Sequence, residues 1–243
     1  MSKKYKGKLC VYCQDNPSIN QGDHVFARGL FLEKERHNPI KVPACVECNT
    51  DKSFIEHYLV SLLPFGGRHS YAEKTLKSLV PTRLEKNLKL KRELNEGMKY
   101  VWSNNEPGIS TRNLIIPFDG IRYAELFKYI VKALSWHHWG SYIKSESDIL
   151  SVSLTKTGEE AFEKFLFSLQ SNHKIEEIIG NNTVKYKGMQ AVEDNQISIW
   201  KFQIYNGVVV SNSEHEGFDK SSCIGVLTGP SKILNSYKEL FDK

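Results

Sequence analysis

Two Cys-x2-Cys pairs, Cys10/Cys13 and Cys45/Cys48, stand 31 residues apart near the start of this 243-residue chain. No other feature limits the fold as much. Paired thiolates in two tight turns are the donor set of a tetrahedral structural zinc, and closing both turns on one ion joins the two ends of the intervening loop. A segment this short has little core of its own, so the ion becomes its main constraint. Disulfides are the competing use of cysteine. The first residues, Met-Ser-Lys-Lys-Tyr-Lys-Gly-Lys, are not followed by the apolar run of a secretory leader, so metal is expected rather than oxidation, in a soluble cytoplasmic protein without membrane spans. Cys223, within an apolar run, is expected to be a small core residue.

The loop between the pairs carries Gly22-Asp23-His24-Val25, and Asn49 follows the last cysteine directly. A carboxylate and an amide oxygen are hard ligands suited to Mg²⁺ or Mn²⁺, and an imidazole with a pKa near 6.5 can take a proton from water at neutral pH. On an extended segment His24 faces away from Asp23, so a local twist is needed to bring both to one phosphate. Each residue has a plainer use: Asn49 as a helix N-cap, Asp23 in the turn after Gly22, His24 as a surface residue. A zinc ribbon with no activity is therefore the competing reading.

The combination resembles the HNH endonucleases of the ββα-metal superfamily, in the zinc-containing branch that includes phage recombination endonuclease VII. The matching residues are Cys10-x2-Cys13, the Asp23-His24 strand, and Cys45-x2-Cys48-Asn49 entering a helix. The resemblance covers residues 8 to about 65. It implies structural Zn²⁺ on Cys10, Cys13, Cys45 and Cys48, His24 as general base, and Asp23 and Asn49 as ligands of a catalytic Mg²⁺ or Mn²⁺. It implies Asn38 as the loop-bracing asparagine, in a segment longer than usual with an extra proline. The third motif position is Asn49 where many members have His; His57, further along the helix, is the lesser alternative. Arg28 and Lys52 are candidate phosphate contacts.

Beyond the motif, the chain reads as α+β. Residues 1–66 form the expected nuclease unit, led by a mobile basic arm (Lys3, Lys4, Lys6, Lys8) and ending in a helix that carries Phe54, Ile55, Tyr58, Leu59, Leu62 and Leu63 and stops at Pro64-Phe65-Gly66-Gly67. Residues 67–112 form a basic helical connector, with helices over 71–80 and about 83–101, the second placing Leu84, Leu88, Met98 and Val101 on one side, followed by a loop over 103–112. Residues 113–243 form an α+β domain expected to select substrate or dock a partner. In it Tyr123, Leu126, Phe127, Ile130, Val131 and Leu134 mark a core-facing helix. Thr157-Gly-Glu-Glu160 has the form of a capping box opening a second helix. Strand-like runs cover 183–186, 197–205, 208–210 and 223–227, and Asn206-Gly207 signals a hairpin between the second and third. A last helix begins at Gly229-Pro230-Ser231. The adjacent His137 and His138 point about 100° apart on a helix and do not form a chelating pair.

Charge is uneven. Residues 1–100 hold 18 Lys and Arg against 11 Asp and Glu, net +7, and the rest is net −2. The positive end is the one with the cysteines, as expected if it meets a polyanion. The expected function is metal-dependent hydrolysis of DNA, by cutting or nicking, with RNA open as a substrate and a restriction or antiphage setting suggested by the resemblance. Two rivals stand beside it: a non-catalytic zinc-stabilised DNA-binding module, and a nuclease subunit active only with a protein partner such as an ATPase. Trp136, Trp139, Trp200 and Tyr205 are read as core rather than as base-stacking residues.

Overall fold

The helix from Gly120 to Trp139 is the axis of the molecule. In the computed structural model, which describes residues 4–18, 22–106, 109–168, 173–208 and 223–235, this helix buries Tyr123, Leu126, Phe127, Ile130, Val131 and Leu134, the face its periodicity demanded. Asp119 caps its first turn by accepting from the Arg122 N–H, and Gly140 ends it in the left-handed region at φ 68°. One side of it meets the N-terminal segment and the other a sheet.

Numbered in chain order, the elements are β1 (Asp23–His24), β2 (Lys41–Val42), α1 (Val46–Gly66), α2 (Ser70–Ser78), α3 (Val80–Lys86), α4 (Leu88–Gly97), β3 (Lys99–Glu106), β4 (Ile109–Ile115), α5 (Gly120–Trp139), β5 (Ser147–Leu154), α6 (Lys156–Ser168), β6 (Lys174–Ile179), β7 (Val184–Gln190), β8 (Ser198–Ile204) and β9 (Cys223–Pro230). The fold is α+β: a ββα region holding the four cysteines, a helical middle, and an antiparallel five-stranded sheet of order β5-β9-β8-β7-β6.

The central strands β7, β8 and β9 are buried on both faces, with the period of two that strands impose. Tyr186, Trp200, Phe202, Ile204, Ile224 and Val226 face α5, where Phe127 and Phe202 pack with ring centroids 5.0 Å apart. Met189, Ile199, Cys223 and Leu227 join Leu154 and Phe162 under α6. Lys201, on this second face, pairs with Glu159 and Glu163 of α6. Trp200 and Tyr205 are fully buried and Cys223 is a core residue, as expected. One buried cluster runs without interruption from Cys10 through Leu63 and α5 to Val226, so the cysteine-bearing segment and the sheet share a core.

Several expectations need correction. The helix expected over 83–101 breaks at Asn87, whose side chain caps α4, and Lys99–Glu106 is a strand. Its buried positions are Leu90 and Leu94, packed on Leu62, while Leu88 is exposed. Of the loop expected over 103–112, residues 103–106 and 109–112 instead belong to the β3–β4 ribbon, and 107–108 lie outside the described residues. Helix α1 continues through Pro64, and Phe54 points to solvent while Leu59 and Leu63 face the core. Thr155, not Thr157, caps α6 by accepting from the Gly158 N–H. Strands β5 and β6 were not anticipated. The turn at Asn206 forms, with Tyr205 and Asn206 at φ 52° and 56° and the Gly207 N–H donating to the Ile204 carbonyl, but Val208 then bridges to Gly67. A hairpin partner has no place beside β8, whose edges are taken by β7 and β9. Positions 209–210 lie outside the described residues, as does most of the last expected helix; residues 231–235 are helical. Residues 4–9 are docked rather than a free arm: Tyr5 is buried, its hydroxyl donates to the Lys41 carbonyl, and Leu9 bridges to Pro17.

Candidate metal centre and the strand beside it

Four sulfur atoms, from Cys10, Cys13, Cys45 and Cys48, lie within 4.8 Å of one another, with Cys13 Sγ and Cys45 Sγ 3.9 Å apart. A tetrahedron with Zn–S bonds of about 2.3 Å has edges of about 3.8 Å. The cluster therefore fits a structural zinc. Each pair sits in a turn whose backbone turns an N–H back on the first sulfur: Tyr12 N on Cys10 Sγ and Cys48 N on Cys45 Sγ, both at 3.4 Å. Burial raises the Cys10 and Cys48 thiols. At Cys13 burial acts the same way, but the Asp15 and Asn16 N–H groups, with Cys10 and Cys48, outweigh it and bring the thiol down to about 7. Deprotonating such a crowded set without a cation is unfavourable, which couples the site's shape to metal. It is the one cluster of metal-ligating His, Cys, Asp and Glu side chains of this kind among the described residues.

The second pair also builds the helix start. Cys45 is the N-cap of α1, so Asn49 lies one turn inside the helix and is not the cap. Its N–H donates to the Cys45 carbonyl, and its side chain is half-buried. Upstream, β2 pairs antiparallel with β1, Asp23 opposite Val42 and His24 opposite Lys41. Gly22 makes this approach possible: its φ is 65°, and a Cβ there would lie 2.6 Å from the Tyr5 ring and 2.7 Å from the Val42 carbonyl oxygen.

Strand alternation sends Asp23 inward and leaves His24 half-buried. The Asp23 carboxylate, 7% exposed, accepts from the Tyr12 hydroxyl at 2.6 Å and faces Lys52 Nζ at 2.9 Å. Lys52 is 0% exposed. Its ammonium has three donors and three acceptors: Asp23 Oδ2, Glu56 Oε1 at 2.5 Å and the His24 carbonyl at 2.7 Å. This corrects the phosphate contact expected of Lys52, which has no open face. Sequence reasoning missed Tyr12 and Glu56. The i, i+4 spacing of Lys52 and Glu56 was a visible signal, though on most helices it marks a solvated pair. Two carboxylates around one ammonium leave a net negative cluster, and burial lifts Glu56 to about 6 despite Lys52.

Burial lowers the His24 imidazole below its ordinary value, and Lys41, Arg28 and Lys52 act the same way against the opposing pull of Asp23. The ring is therefore neutral at pH 7 and able to accept a proton. Arg28 is exposed on the short turn after β1. Asn38 is exposed too, in the loop before β2, at a left-handed φ of 47° that asparagine tolerates. His57 is exposed on α1. His138 lies elsewhere, its Nε2 2.9 Å from the Tyr186 hydroxyl, and burial with His137 lowers it to about 4.

No described helix is long and apolar enough to cross a membrane. No protein-family model matches the chain, and neither the curated proteins nor the solved structures contain a match to it.

Proposed function

We propose that the N-terminal region is a zinc-stabilised ββα module of the HNH type that hydrolyses phosphodiester bonds of nucleic acid, DNA first, with the aid of a divalent metal. One observation carries the reading: β1 with Asp23 and His24 pairs with β2, and β2 runs through the Cys45/Cys48 turn into the first turn of α1 with Asn49. The cysteine turn joins the strand pair to the start of the helix. In this reading the neutral His24 imidazole accepts the proton of the attacking water. Asp23 and Asn49 offer the oxygen donors, and the Mg²⁺ or Mn²⁺ they would hold supplies Lewis-acid stabilisation of the phosphate and of the leaving 3′ oxygen. Arg28, exposed beyond β1, is positioned to meet the phosphate backbone. Asn38 shapes the loop between the two strands.

A second reading is favoured by a specific contact. Lys52 Nζ sits on Asp23 Oδ2, where a cation would otherwise be welcomed. If that ion pair persists, the module binds nucleic acid without hydrolysing it, or hydrolyses only when a protein partner draws Asp23 away from Lys52.

Supercoiled plasmid incubated with the zinc-loaded protein in Mg²⁺, in Mn²⁺ and without either separates the readings. Metal-dependent relaxation or linearisation, reduced at least a hundredfold in His24→Ala with zinc content intact, is the expected result for the nuclease. Equal inactivity of both proteins, with plasmid still retarded in a gel, would establish the binding module instead.

A further inference from the structure

The β3–β4 ribbon presents an aromatic face that nothing in the described fold covers. Its register sets Tyr100 opposite Leu114 and Trp102 opposite Arg112, so these four side chains share one face. Tyr100 is 60% exposed, Trp102 68% and Leu114 41%. On the other face Ile115 is half-buried, while Lys99 and Val101 are exposed. The Arg112 guanidinium lies over the Tyr100 ring, 4.0 Å from its centroid. Two-stranded ribbons are marginal in water, and apolar side chains grouped on one exposed face, unlike singly exposed ones, mark interaction sites.

Charge narrows what that ligand is. Helix α4 leads directly into the ribbon with Lys89, Lys91 and Arg92 exposed. Residues 86–115 contain six Lys and Arg against three Glu. A second copy of the same face would bring Arg112 and this positive charge against themselves. A polyanion with accessible planar groups satisfies both features: bases stack on Tyr100 and Trp102, and phosphates meet Arg112 and the α4 cations. Paired bases within a duplex do not offer their faces, whereas unpaired ones do.

We propose that the β3–β4 ribbon is a stacking platform that holds a single-stranded nucleic-acid segment through Tyr100, Trp102 and Arg112. It deepens the reading of the chain as a protein acting on nucleic acid and rests on that reading. A strand held there gives the module its preference for substrates with unpaired regions.

The test is fluorescence anisotropy of labelled oligonucleotides, single-stranded and duplex of equal length, with the full zinc-loaded chain and no added Mg²⁺ or Mn²⁺. Trp102→Ala should weaken single-strand binding about tenfold, and Trp102→Ala with Tyr100→Ala about a hundredfold. Trp102→Phe should retain most of the affinity. Arg112→Ala should also lower the salt dependence of log K by about 0.7. Phe167→Ala, an exposed aromatic on α6, should change nothing. Binding within twofold of wild type in the double variant would overturn the proposal, and so would an equal loss on duplex. Sedimentation that shows wild-type dimers lost in Trp102→Ala would also overturn it, in favour of self-association. Because binding is read without Mg²⁺ or Mn²⁺, its outcome is independent of plasmid relaxation in their presence, so failure of the platform and failure of the nuclease reading are told apart.

Discussion

Replacing Lys52 by Met tests the centre of the N-terminal module. The ammonium is fully buried and satisfies Asp23, Glu56 and the His24 carbonyl together. Met preserves most of the volume but leaves two buried carboxylates facing each other with only the Tyr12 hydroxyl donating to Asp23. Removing one partner of a buried ion pair costs about 3–5 kcal/mol. Protonation limits that cost. Glu56 stands at about 6 with Lys52 present, and burial is the cause, so without Lys52 it rises further. A carboxyl raised in the folded state contributes stability that is complete below its unfolded pKa and is lost as pH rises through the folded value. A tenfold rise in the carboxyl's proton affinity is worth about 1.4 kcal/mol. The deficit of Lys52→Met relative to wild type should therefore be about 3 kcal/mol at pH 7.5 and clearly smaller at pH 5.5. Urea unfolding of zinc-loaded proteins, followed by far-ultraviolet circular dichroism at both pH values, measures it. Adding Glu56→Leu to Lys52→Met should recover part of the loss. A cost under about 1 kcal/mol at pH 7.5, or one equal at the two pH values, would show that Lys52 is not holding a charged cluster together.

Two further outcomes follow from named groups. Removal of zinc by a chelator, or Cys13→Ser, should lower stability by about 4 kcal/mol relative to protein with free zinc a thousandfold above its Kd, read as a fall in Tm on the order of 10 °C. An unchanged Tm would mean that the four sulfurs hold no structural ion. His138, lowered to about 4 by burial and by His137, is neutral in the folded protein where the unfolded chain binds a proton. Stability should fall as pH drops from about 6.5 toward 4, and His138→Gln should flatten the change between pH 7 and 5 by about 1–2 kcal/mol after allowance for partial solvent screening, measured by urea unfolding at the two pH values.

What was legible in the sequence had a local cause. The Cys-x2-Cys spacing dictates a cluster because two residues between thiols fit one tight turn, and the i, i+3, i+4 pattern of α5 dictates its buried face because a helix repeats every 3.6 residues. What was missed has a tertiary cause. Asn206 makes the turn its type favours, but the partner of Val208 is Gly67, far away in sequence. Residues 103–106 and 109–112 have the composition of a loop and still continue the ladder that pairs Tyr100 with Leu114 and Trp102 with Arg112. Lys52 on the first turns of a helix reads as a phosphate contact; only the approach of β1 turns it into the centre of a buried network.

The shared core bears on why a small cysteine-stapled module is joined to so much chain. Leu59 and Leu63 of α1, Val25 and Phe26 after β1, and Val42 of β2 are buried in one cluster with α5 and the sheet. Phe26 packs on Tyr186 of β7, and the Tyr205 hydroxyl donates to the Leu30 carbonyl at 2.6 Å. Lys132 of α5 donates to the Tyr12 carbonyl at 2.9 Å, inside the first cysteine turn. These contacts grip both flanks of the Asp23-His24 strand, one through the residues that follow it and one through the turn that holds Tyr12. A zinc ion can hold four sulfurs but not the angle of a two-residue strand several residues away from any of them. The α5 helix and the sheet hold that angle, and so decide where His24 and Asp23 stand.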